Sequence, residues 1–320
     1  MKKLISKQYT IKNRAKFHIF CLMLPFLSLF IIGCPGKIID PVQKIYNYND
    51  SALVDNYMRT WQTDLPQNYY DTIKIPLVIF LHGTGGSASQ CKNDYKFSEK
   101  AITQGFIVMY PEGVRSDGIL GIRTWNAGIC CDYAADHHID DVHFVNTLIE
   151  LGISRYKVDP KRVYITGMSN GAMMTYRLAC ELSEKIAAIA SVSGTMMTEN
   201  QCTAQKAIPI LHIHSALDTK IPSAGGIGIG GYYFPPVDSV LNVWSSIDHC
   251  GTVSTIEYNE YTFKKWKGYA DDTEIFYYLT KDGGHAWPGG LKSRAAADPP
   301  STVINANDLI LEFFNKHSLQ

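Results

Sequence analysis

Short apolar segments recur along the chain at intervals that leave room for a helix between them. Five have the length and the β-branched content of buried strands, namely PLVIFLHG (76–83), GFIVMYP (105–111), RVYITG (162–167), IAAIASVSG (186–194) and IPILHIHS (208–215). Continuous apolar runs are typical of parallel strands that are covered on both faces. The alternation therefore predicts an α/β fold with a mostly parallel central sheet and helices on both faces.

The rest of the chain fits around this sheet. TEIFYYLT (273–280) predicts a late strand, and ANDLILEFFNKH (306–317) has apolar residues at helical spacing, which predicts a C-terminal helix packed on the sheet. Residues 35–70 are polar, rich in tyrosine and weakly patterned, so they predict either an edge hairpin or an N-terminal tether. We therefore expect the main domain to span residues 71–320.

Residues 1–34 have the pattern of a secretory signal. Basic residues precede an uncharged apolar stretch, FHIFCLMLPFLSLFII (17–32), that is short for a membrane span. It ends at Gly33-Cys34, which resembles the bacterial lipobox, where the cysteine is lipidated and becomes the mature N-terminus. We expect an exported protein, either secreted or lipid-anchored at the cell envelope through Cys34, with cleavage without lipid as the alternative.

The cysteine count agrees with export. Setting aside Cys21 and Cys34 leaves an even number of cysteines, which predicts disulfides in an oxidising compartment. These candidates are Cys91, Cys130, Cys131, Cys180, Cys202 and Cys250. Their pairing stays open, because six cysteines allow about fifteen arrangements.

The charge balance limits the kinds of partner that we expect the protein to bind. The chain has 30 Lys and Arg residues against 30 Asp and Glu residues, a balance that predicts neither a nucleic-acid surface nor a polybasic membrane patch. We expect a neutral or apolar small-molecule partner, and contact with a membrane only through the lipid anchor.

Gly167-Met168-Ser169-Asn170-Gly171 matches the pattern Gly-x-Ser-x-Gly and stands between a predicted strand and a predicted helix. In that context the glycines allow a tight turn that exposes the serine hydroxyl. A serine hydroxyl is a weak nucleophile, so a histidine must take its proton and a carboxylate must orient that histidine. Ser169 is therefore the predicted nucleophile, and an ordinary loop serine is the alternative.

The order nucleophile, acid, histidine is typical of the α/β-hydrolase fold, which is the fold class that we predict. His285 lies in the glycine-rich loop after the late strand and is the predicted base, with His317 as its rival. Asp218 follows the strand at 208–215 and is the predicted acid. The less favoured acids are Asp238, Asp248 and Asp282.

When a serine attacks a carbonyl carbon, a negative charge develops on the carbonyl oxygen, and this oxyanion needs hydrogen bonds from backbone N–H groups. We expect the N–H groups of Asn170 and of Thr84, in the loop HGTGG (82–86), to supply them. We expect His82 to hold this loop by hydrogen bonding. The histidines and aspartates at 132–145 raise the alternative of a metal site, but acidic residues also favour the start of a helix, so we predict no metal and no cofactor.

Several motifs occur together and in a familiar order between about Pro76 and His317: FLHGTGGSA, GFIVMYPEG, WNAGICC, IDDVHFV, DPKRVYITGMSNGAMMTYRLAC and GGHAWPGG. They resemble the polyhydroxybutyrate depolymerase-like and feruloyl esterase-like family of secreted α/β-hydrolases, in the wider carbohydrate esterase group 1 neighbourhood. The resemblance implies the same triad of Ser169, Asp218 and His285. It also implies that Trp125 and Trp287 lie near the substrate cleft and bind substrate there.

The resemblance also implies disulfides, with Cys180–Cys202 the first pair expected. The chain departs from the family pattern at two places. His214-Ser215 stands where the family usually has His-Gly, and no cysteine occurs near Gly268 to pair with Cys250, as one does in some members.

We therefore expect an exported serine esterase that acts through an acyl-enzyme. Its substrate would be a small ester, a feruloyl or acetyl ester of plant polysaccharide, or a hydroxyalkanoate polyester. A serine peptidase on the same fold is one alternative, although such enzymes usually add a gating domain. A non-catalytic surface-binding lipoprotein is the other, and it would predict loss of a triad residue.

Overall fold

Ten strands form the central sheet of the structure, a computed structural model that describes residues 46–268 and 273–319. The predicted signal segment with Cys34 lies outside the described residues. Within the described ranges, no helix has the length and apolar character that a bilayer span requires.

The strands of the described residues vary from two to eleven residues in length. In chain order they are β1 (Asn47–Val54), β2 (Tyr57–Asp64), β3 (Ile75–Leu81), β4 (Ile107–Pro111), β5 (Val114–Arg115), β6 (Arg123–Thr124), β7 (Val158–Met168), β8 (Ala188–Val192), β9 (Ile210–Ser215), β10 (Gly226–Ile227), β11 (Tyr233–Phe234), β12 (Ser254–Glu257), β13 (Tyr261–Lys267) and β14 (Glu274–Thr280).

The sheet has the strand order β1-β2-β4-β3-β7-β8-β9-β14-β13-β12. The six central strands, from β4 to β14, pair in parallel, whereas the two strands at each edge pair antiparallel. Every strand predicted from an apolar run belongs to the parallel group, so the prediction of a mostly parallel sheet is confirmed. β5 pairs with β6 and β10 with β11 in two small separate ladders.

Helices cover both faces of the sheet, as predicted. They are α1 (Ala88–Tyr95), α2 (Phe97–Ala101), α3 (Asp132–Asp136), α4 (Asp141–Arg155), α5 (Asn170–Glu181), α6 (Val237–Ile247) and α7 (Ala306–Phe314). Apolar side chains of α4, α5 and α6 share one core with the sheet, and those of α1, α2 and α7 share the other. Alternate strand residues enter the two cores, because successive side chains point to opposite faces.

The segment 35–70 contains the edge hairpin, which was one of its two expected forms. β1 pairs with β2, and β2 pairs with β4. The sheet therefore begins N-terminal to residue 71, where we expected the main domain to start. The hairpin gave only a weak signal because half of the residues of β1 are exposed, and these alternate with partly buried ones.

The parallel strands bring the predicted functional residues to one edge of the sheet. His82 follows β3, Ser169 follows β7, Asp218 follows β9 and His285 follows β14. The carboxyl ends of parallel strands meet at the same edge, so loops that are far apart in sequence converge there.

Candidate active site

Ser169 occupies a sharp turn between β7 and α5. Its backbone has φ 58° and ψ −123°, a region that residues other than glycine rarely adopt. The Ser169 N–H donates to the Val192 carbonyl oxygen at 3.0 Å, and its own carbonyl oxygen accepts from Met173 N–H, which opens the helix. This strained turn leaves the side chain only partly buried at the edge of the sheet.

The two glycines of the motif are required by close backbone packing. A Cβ on Gly171 would lie 2.5 Å from the His82 carbonyl oxygen, and one on Gly167 would lie 2.6 Å from the Gly171 carbonyl carbon. Both separations are below 3.0 Å, which is closer than a Cβ can approach a non-bonded atom. The turn therefore packs against the end of β3 with no room for a side chain.

Three predicted residues meet at this turn. His285 Nε2 lies 2.9 Å from Ser169 Oγ, and His285 Nδ1 lies 2.7 Å from Asp218 Oδ2. A carboxylate only accepts, so His285 Nδ1 carries the hydrogen in the neutral ring and Nε2 accepts from the serine hydroxyl. The arrangement can withdraw a proton from Ser169 and hold the resulting imidazolium beside a negative charge.

The alternative acids make other contacts. Asp282 accepts from the Thr302 N–H at 2.9 Å, and Asp238 pairs with Lys264 at 2.7 Å. Asp248 accepts from the Ile208 N–H at 3.0 Å. None of these distances involves the imidazole of His285.

The alternative base is also engaged elsewhere. His317 lies just beyond α7, and its Nε2 is 3.6 Å from the Glu274 carboxylate. Its carbonyl oxygen accepts from the Tyr164 hydroxyl at 2.6 Å. The structure thus brings Ser169 together with His285 and not with His317.

Asp218 is buried, with 4% of its surface exposed. Its Oδ1 accepts from the N–H groups of Lys220 and Ile221, both at 2.9 Å, and its Oδ2 faces His285 and also His214 Nε2 at 3.3 Å. Burial alone would raise the pKa of this carboxyl, but hydrogen bonds from His214 and His285 outweigh it and hold the pKa below its ordinary value. Asp218 therefore stays ionised beside His285.

The loop that carries His285 is held by two residues that the sequence did not indicate. The His285 N–H donates to Asp298 Oδ2 at 3.0 Å, and Lys220 Nζ donates to the same oxygen at 2.9 Å. Because the Lys220 N–H also holds Asp218, Lys220 connects the acid loop to the histidine loop. Neither Asp298 nor Lys220 stands in a motif, so only the folded chain identifies them.

The loop at 82–86 reaches the nucleophile. A Cβ on Gly83 would lie 3.1 Å from Ser169 Cβ and 3.7 Å from its Oγ. Thr84 is the next residue and is exposed, and Asn170 is the first residue of α5, where backbone N–H groups have no partner within the helix. The two predicted donors therefore belong to segments that adjoin Ser169.

His82 holds this loop, as predicted. Its ring is fully buried, Nδ1 donates to the Gly83 carbonyl oxygen at 2.7 Å, and Nε2 accepts from the Gly113 N–H at 3.0 Å. Burial lowers the pKa of His82 to about 4, so the ring stays neutral and keeps Nε2 as an acceptor.

The prediction that Trp125 presents its side chain to substrate needs correction. Its side chain has no exposed surface, and its Nε1 donates to the His82 carbonyl oxygen at 2.9 Å. The Asn170 side chain accepts from the Trp125 N–H at 2.7 Å and donates to its carbonyl oxygen at 3.0 Å. Trp125 thus joins the start of α5 to the loop at 82–86 from beneath.

Trp287 has a similar supporting position, which corrects the second substrate-contact prediction. It is 1% exposed, stacks on the Tyr95 ring at 5.0 Å, and donates from Nε1 to Asn307 Oδ1 at 2.8 Å. The resemblance indicated proximity to the site, but it could not distinguish a side chain that lines a cleft from one packed below it.

The cysteines form two disulfides among the described residues, Cys180–Cys202 and Cys130–Cys131. The first is the pair that the resemblance implied. Cys91 and Cys250 are free thiols, so two of the six candidate cysteines do not form disulfides.

The positions of the two free thiols explain why they are unpaired. Cys91 lies in the core on the face of α1, whereas the disulfide cysteines lie in the core on the opposite face of the sheet. Cys250 forms an isolated β-bridge with Gly268, a residue that offers no thiol.

One group of residues within the described ranges has ligand atoms close enough for a metal ion. Asp55, Asp140 and His143 are exposed, and their ligand atoms lie within 4.8 Å of one another. Asp140 accepts from the His143 N–H at 2.8 Å at the start of α4, and His143 Nδ1 contacts Asp55 at 2.8 Å. Capping and pairing account for these contacts, as expected for acidic residues at a helix start.

A family model described as Esterase PHB depolymerase matches residues 66–273, more than half of the chain. Feruloyl esterase B from Piromyces equi is 32% identical over 166 residues, which cover 51% of this chain and 30% of that protein. The bifunctional acetylxylan esterase/xylanase XynS20E from Neocallimastix patriciarum is 31% identical over 143 residues, which cover 45% of this chain and 19% of that protein. The chain thus spans less than a third of either relative.

Solved structures show the same fold. Acetyl xylan esterase from Aspergillus awamori has a TM-score of 0.57 at 17% identity, over 84% of this chain and 98% of that chain. S-formylglutathione hydrolase from Agrobacterium tumefaciens has a TM-score of 0.54 at 9% identity, over 86% of this chain and 95% of that chain. The predicted α/β-hydrolase fold is confirmed.

Proposed function

The chain belongs to the PHB depolymerase esterase family, and on that premise we propose that it is a serine hydrolase of carboxylic esters. The observation that carries the proposal is the unbroken contact from Ser169 Oγ to His285 Nε2 at 2.9 Å and from His285 Nδ1 to Asp218 at 2.7 Å. A binding module without catalysis would not require all three groups in this geometry.

In the first half of the reaction, Ser169 Oγ attacks the carbonyl carbon of the ester. Its proton passes to His285 Nε2, and the electron pair of the carbonyl bond moves onto oxygen. When this tetrahedral intermediate collapses, the bond to the alcohol oxygen breaks and the Nε2 proton moves to that oxygen. The alcohol leaves, and the acyl group remains on Ser169 as an ester.

In the second half, water attacks the acyl-enzyme. His285 Nε2 removes a proton from the water and then returns it to Ser169 Oγ as the bond to the acyl carbon breaks. The products are a carboxylic acid and free serine. The ionised Asp218 stabilises the imidazolium in both halves, since its depressed pKa keeps it charged.

The oxyanion of each intermediate would accept hydrogen bonds from the N–H groups of Thr84 and Asn170. Support comes from Gly83, which adjoins Ser169, and from Asn170, which begins α5. A donor of this kind is worth roughly 10²–10³-fold in kcat. The side chains of Trp125 and His82 support both segments.

We further propose that the substrate is a feruloyl or acetyl ester of a plant polysaccharide. The names of the two curated relatives favour this class, and the family description makes a hydroxyalkanoate polyester the next candidate. Export is part of the proposal. It is supported by the signal-like N-terminus and by two disulfides, which are typical of oxidising compartments.

The test is a panel of substrates: nitrophenyl acetate, methyl ferulate, acetylated xylan, polyhydroxybutyrate and an aminoacyl amide. The wild-type protein should hydrolyse esters, with the highest kcat/KM on the feruloyl or acetyl polysaccharide substrate. Ser169→Ala should lose about 10⁴-fold or more in kcat. The matched control is Ser183→Ala, a buried serine beyond the opposite end of α5, which should keep wild-type activity.

Three results would contradict parts of the proposal. Amide cleavage that rivals ester cleavage would favour a peptidase. A wild-type protein inert toward every ester would favour a binding role. Preference for polyhydroxybutyrate over both polysaccharide esters would replace the substrate class and leave the mechanism in place.

A further inference from the structure

Two buried histidines lie behind Asp218, and neither takes part in the proton transfers of the proposed mechanism. His212 and His214 are 0% and 1% exposed, and both belong to β9. They point to the same face of the sheet, because they are two residues apart on a strand, and their rings lie 5.4 Å apart. Burying polar side chains is unfavourable unless each finds a hydrogen-bond partner.

These histidines are part of a continuous chain of contacts. Tyr176 Oη lies 2.7 Å from His212 Nδ1, and His212 Nε2 lies 3.1 Å from His214 Nδ1. His214 Nε2 then lies 2.8 Å from the Ile221 carbonyl oxygen and 3.3 Å from Asp218 Oδ2. The chain thus begins on α5, crosses β9 and ends at the acid.

The direction of every hydrogen bond in this series follows from the last contact, which is made by His214 Nε2. His214 Nε2 faces only acceptors, a carbonyl and a carboxylate, so it carries the hydrogen. In a neutral ring Nδ1 then accepts, which requires His212 Nε2 to donate and His212 Nδ1 to accept from the Tyr176 hydroxyl.

The surroundings of His212 agree with a neutral ring. Burial, followed by the neighbouring His214, lowers the pKa of His212 well below its ordinary value. The Tyr277 ring also packs against it nearly at right angles, with ring centres 5.2 Å apart. The donors in this chain are therefore all oriented toward the acid loop.

His214 acts on Asp218 both directly and through Ile221. The Ile221 N–H donates to Asp218 Oδ1 at 2.9 Å, while the Ile221 carbonyl oxygen accepts from His214. His214 therefore fastens the acid loop to β9 and contacts the second carboxylate oxygen as well. Tyr176 lies on α5, the helix that begins after Ser169. The series of hydrogen bonds therefore joins the helix of the nucleophile to the acid.

We propose that His214 is a positioning residue for Asp218, and that His212 and Tyr176 hold His214 in the orientation and tautomer this requires. This inference rests on the proposed function of Ser169, His285 and Asp218. The consequence is a graded one: the effect on turnover should be largest at His214 and should decrease toward Tyr176, because each link acts only through the next.

The experiment compares kcat and KM for an active ester in three variants with those of the wild type. His214→Phe removes both ring nitrogens and should lower kcat about 10-fold, since it removes a hydrogen bond that supports a charged group. His214→Gln keeps an N–H near the position of Nε2 and should recover most of that loss. Tyr176→Phe removes one hydroxyl and should lower kcat about 2-fold to 3-fold. KM should change little in all three.

The matched control is Tyr110→Phe. Tyr110 is also fully buried, and its hydroxyl contacts Ser98 Oγ at 2.7 Å away from the triad. It should lose stability as Tyr176→Phe does and keep the wild-type kcat. If His214→Phe does not fold, His214→Gln and Tyr176→Phe decide the question, with thermal unfolding measured on each.

The experiment distinguishes failure of the proposed function from failure of the positioning role. A wild-type protein that neither hydrolyses esters nor reacts with a fluorophosphonate would overturn the proposed function, and this inference with it. An active wild type whose His214 and Tyr176 variants keep full kcat, or lose it no more than Tyr110→Phe, would overturn the positioning role alone.

Discussion

The turn that carries Ser169 and the loops that carry Asp218 and His285 are held in different ways. The turn depends on backbone packing, since Gly167 and Gly171 leave no space for a Cβ. The two loops depend on side-chain hydrogen bonds, in which Asp298 holds His285 and His214 faces Asp218.

The turn is therefore specified mainly by neighbouring residues, whereas the loops are specified by contacts between distant parts of the sequence. The glycines and the serine that form the turn are adjacent in sequence, so a short motif identifies them. The loops are held by His214 on β9, by Lys220 and by Asp298 in the segment before α7. Their contacts with the loops form only when the chain has folded. Substitutions in the turn should therefore act through sterics, and those in the loops through orientation and charge.

The largest effect is expected in the turn. Gly171→Ala places a Cβ 2.5 Å from the His82 carbonyl oxygen, so β3 and α5 must separate. We expect loss of folded protein, or destabilisation by about 3 kcal/mol or more together with loss of activity. Thermal unfolding and circular dichroism measure this. Gly118→Ala is the control, because a Cβ there meets only the Ser116 hydroxyl at 3.8 Å. Equal stability of the two variants would contradict the steric account.

The next effect is expected at the acid. Asp218→Asn keeps an oxygen for the N–H groups of Lys220 and Ile221 but turns an amide donor toward His285 Nδ1. The imidazole must then carry its hydrogen on Nε2, where it cannot accept the serine proton. We expect kcat to fall about 10⁴-fold with the fold intact.

Asp282→Asn is the matched control for that substitution, because Asp282 also follows a strand of the site but has no contact with the imidazole in the described structure. It should lower kcat far less. A comparable loss in both variants, measured by steady-state kinetics, would exclude Asp218 as the specific partner of His285.

A smaller effect is expected at the support of the histidine loop. Asp298→Ala removes the acceptor for the His285 N–H and the partner of Lys220. We expect kcat/KM to fall about 10-fold, with little change in unfolding temperature, since both Asp298 and Lys220 are partly exposed. Asp308→Ala, which removes an exposed aspartate paired with Lys100, is the control. Unchanged kinetics in Asp298→Ala would show that Asp298 does not position His285.

The smallest effect concerns a second buried carboxylate. Asp248 is 4% exposed, as is Asp218, but it has one backbone donor, and its Oδ2 has no hydrogen-bond partner in the described part of the chain. Burial raises the pKa of Asp248 from 3.8 to about 7. The folded state thus binds this proton more tightly than the unfolded state, so the contribution to stability falls as pH rises from about 4 to 7.

Asp248→Asn should remove that dependence. We expect its unfolding temperature to exceed that of the wild type by about 4 °C at pH 8 and by less at pH 5, where Asp248 is protonated in the folded protein. Asp238→Asn, at an exposed position, should show no such difference between the two pH values. A variant destabilised at pH 8 would show that the charged form of Asp248 is favourable.

Much of the fold was predictable because its signals are local. Each parallel strand is a continuous apolar run, and the nucleophile turn is a five-residue motif. Boundaries were less accurate: β7 begins at Val158, four residues before the predicted start, because Val158 pairs with Ile75 although polar residues follow it. Pairing with another strand is a tertiary effect that an apolar pattern does not contain.

The supports of the site were not predictable from the sequence. Asp298 and Tyr176 are ordinary residues until the fold brings each within hydrogen-bond distance of a histidine. Trp125 shows the same limit in the opposite direction. Its motif indicated that it lies near the site, but only packing shows that its indole faces the His82 carbonyl oxygen and not a cleft. Sequence motifs indicated proximity, and packing determined the role.

The central claim is that Ser169 is the nucleophile, and covalent labelling tests it most directly. The wild-type protein would be treated with a fluorophosphonate, its intact mass measured and the adduct located by peptide mapping. We predict one adduct, on Ser169, formed in parallel with loss of esterase activity, slow in Asp218→Asn and absent in Ser169→Ala. An adduct on another residue, or wild-type turnover in Ser169→Ala, would contradict the account.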